Sequence, residues 1–278
     1  MGFLLLAVFS SAMVSIVMRL STDKISANLS MLAANYLICS VLGAIYGGFE
    51  LVMPQAAGFS LTVWLGLISG VLYLAGLILF QTNTRKNGIV LSSVFMKLGL
   101  LVPIVASVLV FHEEPTVSQI AGFCLAIFAI VLINMKKEAD GKAFGFGLIL
   151  MLLCSGTADV MAKIFDVFVP QKLSALYLFY TFFTAFVLCM VLVLRKKERP
   201  GLGELLYGTL IGVPNFFAAK FLLGALTKLP AVVVYPSFSV GTMLLVTLTG
   251  VAVFRERLSR GQWVALAAII VALVLLNI

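Results

Sequence analysis

Three lysines lie well inside apolar sequence: Lys97, Lys163 and Lys220. An ammonium at that depth costs at least ~2.5 kcal/mol on insertion scales, so each needs an anion, a carbonyl or a water-filled cleft. Lys97 stands about eight residues into the run 89–111, with Pro103 interrupting the helix beyond it. No acid lies three or four positions from Lys97, so its partner comes from another span or from substrate. Carbonyls freed near Pro103, or Asp159, would satisfy it structurally; an anionic ligand would satisfy it functionally. Asp159, the one carboxylate well inside a span, precedes Lys163 by four residues, the favourable order for an intrahelical pair. These two are the coupling or gating candidates, and Asp159 is where a coupling proton would ride. Lys163 and Lys220 lie near span ends and can also snorkel, Lys220 being about six residues, or ~9 Å, from its end.

The immersed balance is three cations against one anion, which favours an organic anion or the carboxylate of a zwitterion over a quaternary ammonium compound. Asn215 follows Pro214 and can satisfy backbone groups that the proline frees. Tyr73, Tyr235 and Ser239, supported by Asn35, Tyr36 and Ser237, offer hydrogen bonds either to substrate or between helices. The substrate-binding candidates are therefore Lys97, Lys220, Asn215, Tyr73, Tyr235 and Ser239. Enzymatic chemistry has little to work with. There is one histidine, His112, there are no paired carboxylates at membrane depth, and Cys39, Cys124, Cys154 and Cys189 all fall in apolar spans as small hydrophobes. No metal site, cofactor or enzyme activity is expected.

The elements that position these residues are membrane helices. The chain is 62% hydrophobic and 11% charged, with mean hydropathy +1.17, and apolar runs of about 20 residues follow one another with short connectors. Ten spans are expected, near 2–18, 28–47, 59–80, 89–111, 117–135, 144–164, 173–194, 203–226, 231–254 and 260–277. The first resembles a signal peptide but lacks a basic leader, and residues 145–164 resemble it, so it is read as a helix that stays. The net charge of +8 arises from short loops, and so reads as a topology signal and not as a nucleic-acid surface.

An internal copy runs at an offset of 143 residues. Phe111-His112-Glu113 through Gln119 matches Phe254-Arg255-Glu256 through Gln262, and Leu67-Ile68, Ala75 and Phe95 match Leu210-Ile211, Ala218 and Phe238. Chance explains matched Leu and Val, but explains a shared F-x-E-x5-Q at a loop poorly. Residues 1–137 and 143–278 are thus two five-helix repeats. An odd number of crossings inverts the second relative to the first, the plan of many secondary transporters. Glu113 and Glu256 sit where a span meets its turn, and are read as structural, each able to cap the helix that follows. Loops after spans 1, 3, 5, 7 and 9 hold fourteen Lys and Arg against two after spans 2, 4, 6 and 8, which puts both termini outside.

With these halves and the motif Val110-Phe111-His112-Glu113…Gln119-Ile120-Ala121-Gly122, repeated as Val253-Phe254-Arg255-Glu256…Gln262, the chain resembles the ten-helix, EamA-like branch of the drug/metabolite transporter superfamily over essentially its whole length. The second copy departs in having Ala265 where the first has Gly122. The resemblance implies alternating access in the cytoplasmic membrane, with a cavity lined by spans 1, 3, 4, 6, 8 and 9 and spans 5 and 10 peripheral. It also implies cytoplasmic termini, against the loop charges. The expected function is secondary active transport of a small polar metabolite, with lipid or amphiphile flipping, or multidrug or amino-acid export, as the alternatives on the same fold.

Overall fold

A computed structural model describes residues 1–21, 24–25, 27–48, 57–87, 92, 95–96, 98–134, 146–198, 201–253 and 260–276. In a bilayer every backbone N–H and C=O must be satisfied within the chain, and the long apolar runs accordingly coil. The helices are α1 Gly2–Ser21, α2 Asn28–Gly47, α3 Phe59–Asn87, α4 Leu101–Leu109, α5 Val117–Asn134, α6 Phe146–Phe168, α7 Ser174–Lys196, α8 Leu202–Leu226, α9 Ala231–Ala252 and α10 Arg260–Leu276. Among the described residues seven of them, α1 to α3 and α6 to α9, are long and apolar enough to cross a membrane, with shorter apolar helices at Val117–Leu132 and Leu266–Leu276.

Three boundaries differ from the sequence reading. α3 runs on through Asn87, because the connector from Gln81 carries no proline or glycine before Gly88. α6 continues to Phe168, four residues past its expected end. In span 4 the interruption is a turn at Gly99-Leu100, with Pro103 in the first turn of the helix that follows, where a missing N–H is harmless. Pro214 and Pro236 lie inside α8 and α9 without ending them.

The chain forms two compact units, and each takes helices from both halves of the sequence. Unit 1 comprises Met1–Leu74 and Met161–Thr227. In it α2 packs on α7 and α8, and α1 on α8. Glycines set the closest approaches. A Cβ on Gly66 would lie 2.6 Å from Tyr180 Cβ, and one on Gly70 would lie 2.5 Å from Thr181 O, so α3 presses on α7. A Cβ on Gly208 would meet Ala34 Cβ at 2.5 Å, and one on Gly212 would meet Asn35 O at 2.8 Å, so α8 presses on α2. Each is a G-x-x-x-G face. The two contacts are also counterparts, since spans 3 and 8 are repeat-mates, as are 2 and 7.

Contact order along the helices fixes their directions. On the α2–α7 seam Gly43 meets Phe179 while Leu29 O meets Cys189, so these repeat-mates run antiparallel. On the α2–α8 seam positions 34, 38 and 46 meet 208, 212 and 216, so that pair runs parallel. Unit 2 comprises Ala75–Val160 and Lys228–Ile278. There α5 packs on its repeat-mate α10, with Gly122 against Leu275 and Leu276, again antiparallel, and α9 packs on α4 and α5. In each unit one such pair, α2 with α7 and α5 with α10, runs in opposite directions.

Candidate functional site

The motif glutamate acts across the sequence halves. Glu113 follows His112, which stands in the left-handed region at φ 54°, a conformation costing a non-glycine residue roughly 1–2 kcal/mol. The turn aims the carboxylate away from the helix that follows and onto the start of α9. There Ala231 N donates to Oε1 at 3.1 Å and Val232 N to Oε2 at 3.3 Å. Glu113 is thus a helix cap, as expected, but for α9 and not for the adjacent α5.

Unit 1 repeats the device. Lys197, the other non-glycine residue at positive φ among those described, ends α7 with Lys197 N bonded to Leu194 O and Glu198 N to Val193 O, a Schellman turn. Glu198 then accepts from Ser30 N at 3.1 Å and Ser30 Oγ at 3.3 Å in the first turn of α2. Glu204 adds a second carboxylate, accepting from Ala27 N at 3.4 Å and from Gly201 N, at the start of its own helix, at 3.0 Å. Carboxylates at helix N-termini meet unpaired N–H groups and the positive end of the dipole.

Two of the immersed lysines meet partners within the described residues, Lys163 an acid and Lys220 a ring. Lys163 is 6% exposed and pairs with Asp166 at 3.8 Å. Asp159 lies one turn before Lys163 on the same helix, and Asp166 is within reach because α6 outlasts its expected end. Asp166 also accepts from Gln171 Nε2 at 2.9 Å. Lys220 is half-buried, with Nζ 3.3 Å from the centroid of the Tyr46 ring, a close cation–π contact. Lys97 and Glu256 lie outside the described residues.

Of the polar candidates, Asn215 turns across the α2–α8 seam. Its Nδ2 donates to Asn35 Oδ1 at 3.1 Å and approaches Cys39 Sγ at 3.7 Å, while Cys39 donates to Gly212 O at 3.2 Å. The amide therefore joins two helices instead of satisfying the backbone around Pro214. Cys39 and Cys189 are buried, whereas Cys124 is exposed on α5. Tyr73 is half-exposed and, with Tyr36, packs on Phe182, both at 6.3 Å between ring centroids. In unit 2 the buried Tyr235 donates its hydroxyl to the main-chain carbonyl of Asp159 at 2.7 Å. Ser239 sits one turn further along α9, partly exposed.

Sequence reasoning passed over Ser107 on α4 and Thr242 on α9. Their hydroxyls, and that of Ser237, are buried without a hydrogen-bond partner among the described residues. An unpaired buried hydroxyl costs about 1–3 kcal/mol, so unit 2 holds three polar groups on packed helices that would be stabilised by a polar ligand. No signal in the sequence separates these from the serines and threonines that bond their own helix, such as Thr249 with Leu245 O.

Comparison with known proteins gives the same frame. The sequence model of the EamA-like transporter family matches residues 1–135 and again 144–278. An uncharacterised protein of Haemophilus influenzae is 26% identical over 277 residues, covering 95% of this chain and 93% of its own. A crystal structure aligns over 98% of this chain and 94% of that one with a TM-score of 0.70 at 15% identity, a likeness of fold alone. With the family matched once in each half and helices of membrane length in both, this chain belongs to the EamA-like transporter family and is a multi-pass helical membrane transporter of the drug/metabolite kind.

Proposed function

We propose that the protein is a secondary transporter that moves a small anionic or zwitterionic metabolite by alternating access between two inverted repeats, residues 1–137 and 143–278. The observation that carries the substrate preference is the occupation of the carboxylates. Glu113, Glu198 and Glu204 cap helices, and Asp166 holds Lys163 and Gln171. Recognition of a cation would draw on Asp159, the one carboxylate well inside a span, or require a carboxylate to leave one of these roles. Lys97 is the proposed anchor for the substrate anion, with Asn215, Tyr73, Tyr235 and Ser239 as hydrogen-bonding groups. The hydroxyls of Ser107, Ser237 and Thr242, which have no hydrogen-bond partner among the described residues, support a polar ligand.

Asp159 is proposed as the proton carrier, next to the Lys163–Asp166 pair that steadies the end of α6. In proteoliposomes screened with organic acids and amino acids, Lys97→Gln is expected to reduce anion flux by about tenfold, the equivalent of ~1.4 kcal/mol. Asp159→Asn should leave exchange intact while removing the response to an imposed proton gradient. Unaltered flux in the first variant would sink the anchor, and an unaltered gradient response in the second would sink the carrier.

The orientation proposed is termini outside. In unit 1, Arg19, Lys24, Arg195, Lys196 and Lys197 gather at the end where α1 and α7 finish and α2 and α8 begin, while among the described residues the opposite end holds Lys172 and, further in, Lys220. Cytoplasmic loops retain Lys and Arg, which supports this assignment. Alkaline phosphatase fused after Ile278, active only outside the cytoplasm, is expected to be active; an inactive fusion with an active cytoplasmic reporter at the same place reverses the assignment.

A further inference from the structure

Lys220 is an immersed cation for which the described residues supply no ion pair, and its surroundings indicate what anion it meets. Its ammonium lies 3.3 Å above the Tyr46 ring. Phe216 and Phe217 pack on that ring at 5.6 and 5.9 Å, Phe221 stacks on Phe217 at 5.7 Å, and Phe3 stacks on Phe221 at 6.3 Å. These rings come from the first turn of α1, the last turn of α2 and the second half of α8, so they lie toward one end of unit 1. An aromatic cluster at the ends of membrane helices marks the boundary between headgroups and acyl chains. Tyr46 is 49% exposed, its neighbour Ile45 67% and Phe3 40%, so this end of unit 1 carries exposed apolar side chains on the same helices as the rings that seat the cation.

An ammonium has three N–H donors, and a ring face offers attraction but no lone pair. The remaining donors can be met by an oxyanion. A water-soluble anion would gain nothing from the exposed apolar side chains, whereas a phospholipid presents phosphate oxygens to the ammonium and chains to Ile45 and Phe3. We propose that Lys220 and Tyr46 form a binding site for the phosphate of an anionic phospholipid at the end of unit 1 where α2 and α8 finish. The assignment takes Lys220 out of the substrate-binding set expected from the sequence and stands apart from the transport reading, which places the substrate anion on Lys97.

The test uses the purified full chain in a neutral detergent, titrated separately with dioleoylphosphatidylglycerol, with dioleoylglycerol, which has the same chains without phosphate, and with inorganic phosphate. Thermal unfolding is the readout. Phosphatidylglycerol should raise Tm saturably, and the other two additives should not. Lys220→Gln is expected to need about tenfold more lipid for the same rise, Lys220→Arg to respond as the parent does, and Tyr46→Leu, which keeps the charge and removes its seat, to respond weakly. The proposal is overturned if Lys220→Gln responds like the parent, if dioleoylglycerol works equally well, or if inorganic phosphate alone reproduces the shift. Should Lys220→Gln not fold, an undiminished response in Tyr46→Leu overturns it independently.

Discussion

Replacing Glu113 by alanine is expected to lower the melting temperature by about 5 °C or more. The change removes two charge-assisted bonds to the first N–H groups of α9, and losing a cap costs typically ~1–2 kcal/mol, more where the donors are partly buried and a charge is involved. At 2–4 °C per kcal/mol for a chain of this order, the shift is easily read. Glu113→Gln should fall between parent and alanine, keeping an acceptor oxygen but losing the attraction of a full charge for the helix dipole. Glu114 is the matched control: it neighbours Glu113 in sequence and is exposed, so Glu114→Ala should melt with the parent. Equal melting of Glu113→Ala and Glu114→Ala would refute the capping role.

A larger effect is expected at the glycine seams of unit 1. A side chain at Gly70 meets the backbone oxygen of Thr181 at 2.5 Å, and one at Gly212 meets that of Asn35 at 2.8 Å. Backbone cannot rotate aside, so leucine at either place must push α3 from α7, or α8 from α2. Overpacking alone costs ~1–3 kcal/mol. At Gly212 the separation also pulls Asn215 from Asn35 and Cys39 from Gly212 O, leaving buried polar groups unpaired. Gly70→Leu and Gly212→Leu should therefore yield aggregated or unstable protein by size-exclusion chromatography in detergent. Gly2→Leu, where nothing lies within 4 Å, should elute as the parent does. Monodisperse Gly70→Leu and Gly212→Leu would show that the seams are looser than described.

Much of this architecture was legible before any coordinates. Bilayer thickness demands apolar runs of a set length, so the helices announce themselves, and the F-x-E-x5-Q repeat marks the duplication. The middle residue of that motif turned out to be informative, since His112 occupies the left-handed turn that aims Glu113. The target of Glu113 was not legible, because α9 begins 118 residues away and local sequence names only the nearer helix. Lys163 was matched to Asp159 by helical spacing. The structure also pairs it with Asp166, which a boundary set four residues short had left in a loop. For Lys220 the sequence gives depth but not rotation about the helix axis, and rotation decides whether an ammonium meets a tyrosine face or a cleft.

The capping carboxylates also bear on how the molecule is made. α2 leaves the ribosome with its amino end open, and the acids that close it, Glu198 and Glu204, are some 170 residues downstream. Most of the chain must enter the bilayer before unit 1 can be completed, so the early spans wait as loosely held intermediates. Truncation of nascent chains before residue 198 should accordingly leave the first two spans inserted yet open to proteases and quality-control factors, and release from that vulnerability should coincide with synthesis of the eighth span.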